Sequence, residues 1–375
     1  MAVLIFKPIE KCNSNCAYCE TIPKRQDKTA SYELLELLFK KIGEYLKEYP
    51  QEEMMFTWHG GEVGLLGAEY LERAYEFQNA HCGGYQNRIQ HLMQTNMTVM
   101  TQAHMDALKL LKIDFIGTSF DPLPNIRGFG KNRDSQKYNQ QFFEGARLAE
   151  KNGIKWGVIY TTHKKSVGKA MEIFHYLDNM NPGSPPYFHQ LRNYRDSLNE
   201  LSMTGEEYAD FLGEIFAYYW KRRNIHGNVR PFSWWIQTVL HDKPASTCEM
   251  SGECANRWFY IGPEGEAGHC GISGDYGVFQ YGNIYDNSIA EILFHKNRTE
   301  IATRKAALME SACKGCRFWG MCHGGCPVGA YMVNHDLNMP APSCVAFKIF
   351  MEKYFEPITG KSVNMPAAKE QGGCC

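Results

Sequence analysis

The apolar positions of the first 240 residues switch between two rhythms. Short runs such as Val3–Ile9 ("VLIFKPI") are apolar almost throughout, as expected of a buried strand. Longer stretches such as Ser31–Tyr49 repeat their apolar residues every three or four positions, as an amphipathic helix does. The alternation continues with a strand in Glu52–Glu62 that runs into a glycine turn, a helix in Gly67–His81, a strand in Asn87–Asn96 and a helix in Thr101–Lys112. Ile113–Asp121, Tyr138–Gly153, Ile154–Thr162, Val167–Met180 and Pro185–Tyr194 extend it as strand, helix, strand, helix, strand. Repeated strand–helix–strand units call for an α/β fold on a parallel sheet, and this many suit a partial or complete barrel better than a two-layer module.

In folds of that kind ligands gather at the C-terminal ends of the strands. The polar punctuation falls there: Lys11 to Cys19 after the first strand, His59 to Glu62 after the second, Gln94 to Asn96 after the third, Ser119 to Asp121 after the fourth. Four loops of one rim converge on one pocket. "HGGE" alone reads equally well as a plain glycine turn, and its place in this series favours function.

Charge removes several classes of partner. The 375 residues carry 40 Lys and Arg against 41 Asp and Glu, a net charge of -1, with no long basic stripe for a nucleic-acid backbone. No apolar run approaches the length of a bilayer span, and the short run that opens the chain reads as a strand and not as a signal peptide. The expectation is a cytoplasmic protein with no nucleic-acid or membrane partner. In that compartment 14 cysteines argue for metal or catalysis over disulfides.

Those cysteines are grouped. Cys12, Cys16 and Cys19 share one short loop, Cys82 stands alone in an expected loop, and eight fall from Cys248 to Cys344. Cys374 and Cys375 close a Gly, Pro and Ala rich stretch, 358–375, that reads as poorly ordered with exposed thiols. Thiolates select zinc, copper or iron–sulfur clusters. Three in a loop can hold three irons of a 4Fe-4S cube and leave the fourth iron open; a zinc site would need one more ligand, for which His59 is available.

"CNSNCAYC", from Cys12 to Cys19, resembles the cluster motif of the radical S-adenosylmethionine (SAM) enzymes, and "HGGE", from His59 to Glu62, resembles their glycine–glycine–glutamate motif. The resemblance implies that the open iron binds the amino and carboxyl groups of SAM. One electron then releases a 5′-deoxyadenosyl radical that takes a hydrogen atom from the substrate, while the protein places the cofactor and shields the radical. It further implies that His59, Gly60, Gly61 and Glu62 approach the methionine amine and Tyr18 the adenine. Gln94, Thr95, Asn96 and Ser119 would approach the ribose and carboxylate.

The second group, Cys248, Cys254, Cys270, Cys313, Cys316, Cys322, Cys326 and Cys344, resembles the C-terminal SPASM extension of radical enzymes that modify peptides and proteins. The nearest architecture is that of the anaerobic sulfatase-maturating enzymes. By that resemblance Cys248, Cys254, Cys270 and Cys326 hold a first auxiliary 4Fe-4S cluster, and Cys313, Cys316, Cys322 and Cys344 a second. The fold expected is a partial (β/α)6 TIM-like barrel at 1–240, a SPASM extension at 241–352, and a helix end with tail at 353–375.

One departure limits the likeness. The maturases carry an aspartate directly after the third auxiliary cysteine, thought to take the substrate proton; here Gly271 follows Cys270, and the nearest carboxylate is Asp275. His59 and Val63 also replace a glutamine and a proline of those enzymes. The reading is a radical SAM enzyme that crosslinks or otherwise oxidises a peptide, with His269, Asp275, Tyr276 and Arg192 as candidate proton handlers. Formylglycine formation and dehydrogenation of a small alcohol stand as alternatives, and a non-enzymatic iron–sulfur carrier as a third class. Expected partners are a peptide or protein substrate and a flavodoxin- or ferredoxin-type electron donor; with the first strand beginning at Ala2, either a separate leader-peptide-binding protein delivers the peptide or the barrel mouth and the extension read it directly. Arg127, Lys131 and Arg133, on the Gly and Pro punctuated stretch 119–138, read as exposed, suited to an acidic segment or equally to a plain solvated loop. Trp220, Trp234 and Trp235 read as packing between barrel and extension.

Overall fold

The computed structural model describes residues 1–19, 27–181, 183–194, 196–244 and 247–366. Six strands, β1 (Ala2–Phe6), β2 (Met54–Trp58), β3 (Ile89–Gln94), β4 (Phe115–Ser119), β5 (Lys155–Thr162) and β6 (Tyr187–Gln190), alternate with five helices. These are α1 (Tyr32–Glu48), α2 (Ala68–Cys82), α3 (Gln102–Leu110), α4 (Ser135–Lys151) and α5 (Ala170–Met180). Two more helices, α6 (Gly205–His226) and α7 (Phe232–His241), lead to the short α8 (Cys254–Arg257) and to strands β7 (Trp258–Ile261) and β8 (Glu266–Gly268). Then come α9 (Gly271–Tyr276), β9 (Gln280–Asn283), α10 (Ile289–Leu293) and α11 (Thr299–Glu310).

The chain divides into two compact units, Met1–Ile159 with Asn256–Arg298, and Tyr160–Ala255 with Thr299–Cys375. Compactness therefore does not divide at residue 240. β7 runs parallel to β1, pairing Phe6 with Ile261, so a strand from the second cysteine region completes the sheet of the first unit.

In the first unit the strand order is β5-β4-β3-β2-β1-β7-β8-β9, parallel from β5 to β7, with β8 and β9 added antiparallel. The pleat sends alternate residues to opposite faces. Leu4, Phe6, Phe56 and Trp58 are wholly buried. Phe56 stacks on Phe39 of α1 at 5.4 Å, and Trp58 meets Tyr70 of α2 edge-on at 6.5 Å, which identifies their face as the helix-covered one. Ile5, Lys7, Thr57 and His59 take the other face. Ser31 starts α1 by accepting from the Leu34 N–H at 3.2 Å, and the buried Leu34, Leu35, Leu38, Phe39 and Ile42 mark its apolar stripe.

Cys82 is the buried last residue of α2 and no loop residue. Its thiol donates to the Phe39 carbonyl at 3.2 Å, and burial pushes its pKa up to about 12, so it is an inert core cysteine.

In the second unit β6 lies beside the end of β5, where the Leu191 N–H donates to the Thr162 carbonyl at 3.2 Å. An aromatic core joins the helices: Phe216 of α6 meets Phe232 of α7 at 5.2 Å, and Trp235 meets Phe350 at 4.7 Å. Trp235 thus packs within this unit, while Trp220 lies under the Arg223 guanidinium at 4.1 Å. The start of the expected loose tail is ordered: Val363 is 1 % exposed, and Met365 exchanges hydrogen bonds with Arg317 and Gly320 at 2.7 and 2.6 Å. Cys374 and Cys375 lie outside the described residues.

Candidate functional site

The loop of Cys12, Cys16 and Cys19 leaves β1 on the rim of the first unit and is fastened on two sides. Along one side it is zipped to "HGGE": His59 N–H donates to Phe6, Gly61 N–H to Ile9 and Glu62 N–H to Lys11, at 2.9, 2.7 and 2.9 Å. A Cβ at Gly60 would meet the Ile9 carbonyl oxygen at 2.3 Å, and one at Gly61 those of Lys11 and Glu10 at 2.2 and 2.3 Å. The two glycines are thus required by the closeness of the cysteine loop. Beyond them, Asn13 and Ser14 accept from the Asn96 amide at 2.7 and 3.0 Å, and Asn13 donates to Thr98 at 2.8 Å. Asn96 therefore helps to hold the cysteine loop in place.

Glu62 is 1 % exposed. Its carboxylate accepts from the Gly64 N–H at 2.8 Å, the Asn96 N–H at 2.6 Å and the Thr95 hydroxyl, tying the β2 turn to the β3 rim. Burial raises its pKa against the pull of those donors. Three of a carboxylate's roughly four acceptor positions are thereby engaged by the protein. Gln94 lies across β4, where a Cβ at Gly117 would strike its amide nitrogen at 2.0 Å, and Ser119 ends β4 half-buried on the same rim. His59 accepts from the Gly60 N–H at 2.8 Å through Nδ1.

The second fastening corrects the expected exposure of Arg127 in 119–138, while Lys131 is exposed and Arg133 half-buried. Asn15 N–H donates to Gly128 at 2.8 Å, Ala17 N–H to Ile126 at 2.7 Å, and Arg133 Nε to the Asn15 carbonyl at 2.9 Å. Arg127, expected on the surface, is 8 % exposed. Its Nη1 donates to the Tyr18 hydroxyl at 2.8 Å, and Nε and Nη2 donate to the Tyr138 hydroxyl at 3.1 and 2.7 Å. The segment clasps the cysteine loop and places a guanidinium whose charge acts on Cys16. Sequence reasoning missed it because a Gly and Pro rich stretch looks the same whether solvated or folded onto a neighbour.

The candidate proton handlers fall in different places. His269 is fully buried, edge-on to Phe279 and Tyr281 at 6.4 and 6.2 Å, and burial with the Arg298 charge lowers its pKa to about 3. It is a neutral core imidazole, which corrects the catalytic expectation. Tyr276 is also buried. Asp275 is salt-bridged to Lys7, which also donates to the Gly271 carbonyl at 2.9 Å. Lys7 and Asp275 line a cavity of about 70 Å³ with Gly60, Gly61 and Glu266, beside the cofactor motif. Lys7 was overlooked, although a lysine ending an apolar strand is a visible signal. Arg192, in the second unit, donates to Glu249 at 2.8 Å in the wall of a cavity of about 300 Å³ with Tyr187, His189, Trp234 and Cys326. Its Arg192 partner and His189 hold the Glu249 carboxyl well below the usual range despite burial.

The thiols of the second unit form two neighbourhoods. Cys248 and Cys254 line one small cavity with Arg304 and Gly325; Cys322 and Cys344 line another with Gly324. Burial first, then the charges of Cys344, Cys316 and Cys313, pushes the Cys322 thiol up to about 12, so these four thiols lie within one another's electrostatic reach. Cys326 precedes the helix Pro327–Asn334 of the same unit, whereas Cys270 precedes α9 in the first. Grouped thiols in tight glycine turns with an aromatic surround are the donor set that iron–sulfur clusters take.

Residues 6–177 match the Radical SAM superfamily model, and residues 248–317 the SPASM model, an iron–sulfur cluster-binding domain. The serine-type anaerobic sulfatase-maturating enzyme of Bacteroides thetaiotaomicron is 22 % identical over 362 residues, covering 89 % of this chain and 84 % of that one. The native anSMEcpe structure with bound AdoMet and Kp18Cys peptide superposes with a TM-score of 0.79 at 22 % identity, covering 96 % of this chain and 98 % of that one. The Streptococcus suis SuiB structure bound to precursor peptide SuiA gives 0.59 at 15 %, covering 92 % and 75 %. No described helix is long and apolar enough to cross a membrane. The chain thus carries a Radical SAM domain, which binds SAM and a 4Fe-4S cluster, and a SPASM domain, which binds auxiliary clusters, and its homologues include anaerobic sulfatase-maturating enzymes.

Proposed function

We propose that this enzyme oxidises a side chain of a peptide or protein, forming a crosslink or an unsaturation in preference to formylglycine. Solved structures of the same fold, anSMEcpe with bound Kp18Cys peptide and SuiB with bound precursor peptide SuiA, support the substrate class. The observation that carries the distinction is Gly271. It offers no carboxylate, and the nearest one, Asp275, is held by Lys7.

Cys12, Cys16 and Cys19 would hold the 4Fe-4S cluster, and SAM bound beside it would supply the hydrogen-abstracting radical. The chain's own residues do the rest. Gly60 and Gly61 let the turn approach the cysteine loop, Glu62 and Asn96 fix the neighbouring rim, and Tyr18 and Arg127 close it from the side. Asp275 and Lys7 line the small cavity beside the cofactor motif, and Arg192 with Glu249 lines the large cavity of the second unit. A ribosomally made peptide is the preferred substrate, delivered by a separate leader-binding protein, with a flavodoxin or ferredoxin as electron donor.

Mass spectrometry tests this. A sulfatase-type peptide bearing the Cys or Ser target should yield little or no aldehyde, while the true peptide substrate should lose two hydrogens per event, about two mass units. An aldehyde at that Cys or Ser, formed at a rate that depends on Asp275, would restore the maturase reading. An oxidised small alcohol with no peptide product would move the assignment to a dehydrogenase.

A further inference from the structure

Arg304, on α11, is 5 % exposed, and its charge is matched by no carboxylate ion pair among the described residues. Its guanidinium donates to four backbone carbonyls: Nε to Leu337 at 2.6 Å, Nη1 to Gly325 at 3.0 Å, and Nη2 to Gly324 and Met339 at 2.8 and 2.9 Å. Carbonyl dipoles satisfy the N–H groups but bring no opposite charge, and a buried cation without one is unfavourable. The groups that can supply it are thiolates. Arg304 lines a cavity with Cys248 and Cys254, and it holds the Gly324–Gly325 turn that sits between Cys322 and Cys326.

After burial itself, the charges that act on Arg304 most are those of Cys326, Cys313, Cys254 and Cys322. These belong to both groups of auxiliary ligands, so one cation faces both. Arg192 lies in the same unit and also feels Cys326, but Glu249 neutralises it. Lys348 acts on Cys313 and Cys344, and Lys305 and Glu253 act on the neighbouring His323. Among the described residues Arg304 is the buried cation whose charge acts on thiols of both groups.

We propose that Arg304 is the shared counter-cation of the two auxiliary clusters, a positioning residue that holds the glycine turn between their ligands and raises the reduction potential of both. The proposal rests on the cluster reading above. Net charge around an iron–sulfur cluster sets its potential, and residues behind the ligands tune it. A cation facing both clusters stabilises an electron on either, which suits a path that carries an electron away from an oxidised substrate.

The test uses Arg304→Gln and Arg304→Lys in protein that also carries Cys12→Ala, Cys16→Ala and Cys19→Ala, so that only auxiliary clusters report. Iron per chain and EPR-monitored redox titration are measured on anaerobically reconstituted protein. Lysine keeps the charge and loses the planar fork; glutamine loses the charge. Arg304→Gln should keep about eight irons and lower both midpoints, so that at the parent midpoint the reduced-to-oxidised ratio falls about tenfold, or 59 mV for one electron. Arg304→Lys should stay within about twofold of the parent. If Gln loses iron, full recovery in Lys supports the charge role. Full iron with unchanged midpoints in Gln, equal shifts in both variants, or iron or solubility lost in Gln and not recovered in Lys overturns the proposal. A parent without auxiliary iron overturns the cluster reading itself, a separate result.

Discussion

A protein with Cys12, Cys16 and Cys19 all replaced by alanine is expected to release no 5′-deoxyadenosine from SAM under reducing conditions, while keeping about eight irons. The loss should be complete because the open iron exists only if these thiols hold the other three. No other thiol of the first unit can substitute without leaving its place: Cys82 is sealed between α1 and α2 with its thiol on the Phe39 carbonyl, and Cys270 caps α9. The auxiliary thiols should be indifferent, since those of the second unit are grouped around their own glycine turns. Deoxyadenosine released at the parent rate would rule out this loop as the cofactor site. Chromatography of the quenched reaction, with iron analysis of the same sample, reads both halves.

Gly61→Ala should be nearly as damaging, for a reason that lies in packing. Its Cβ would stand 2.2 Å from the Lys11 carbonyl oxygen and 2.3 Å from that of Glu10, both backbone atoms of the segment that enters the cysteine loop. Neither can rotate away, so the whole segment must move, and with it the hydrogen bonds of Gly61 to Ile9 and Glu62 to Lys11. A displacement of about 1 Å at a reacting centre can cost about a hundredfold in rate. Deoxyadenosine formation should fall by about that factor, with auxiliary iron retained. Gly84→Ala is the control, since nothing lies within 4 Å of the Cβ it would gain. Equal rates in the two variants would show that the close approach does not position the cofactor.

Much of the first unit is legible in the sequence because buried parallel strands read as apolar runs and their helices as amphipathic ones. β2 to β6 fall inside the stretches predicted for them, β1 begins one residue before its own, and the polar rim falls at the C-terminal ends of the first four. What the sequence conceals is pairing across distance. Nothing local in Trp258–Ile261 says that it adds to β1 more than 200 residues earlier, so the division at residue 240 did not anticipate it. The cysteine loop and "HGGE" were visible as motifs, but the carbonyls that exclude a Cβ from Gly60 and Gly61 belong to three-dimensional proximity. Buried charges were the least legible. Arg127 and Arg304 look like ordinary surface arginines in a loop and on a helix, and become informative only when burial removes every other explanation for their charge. His269 erred in the opposite direction, since a histidine beside a ligand cysteine invites a catalytic role until its burial edge-on to Phe279 and Tyr281 is seen.

Iron and acid-labile sulfide, counted on the anaerobically reconstituted 375-residue chain, test most directly whether the eleven grouped thiols hold three clusters. About twelve irons per chain with matching sulfide is the expected result, falling to about eight in the Cys12, Cys16 and Cys19 triple variant. About four irons per chain, with the eight thiols from Cys248 to Cys344 free or bound to zinc, would contradict it.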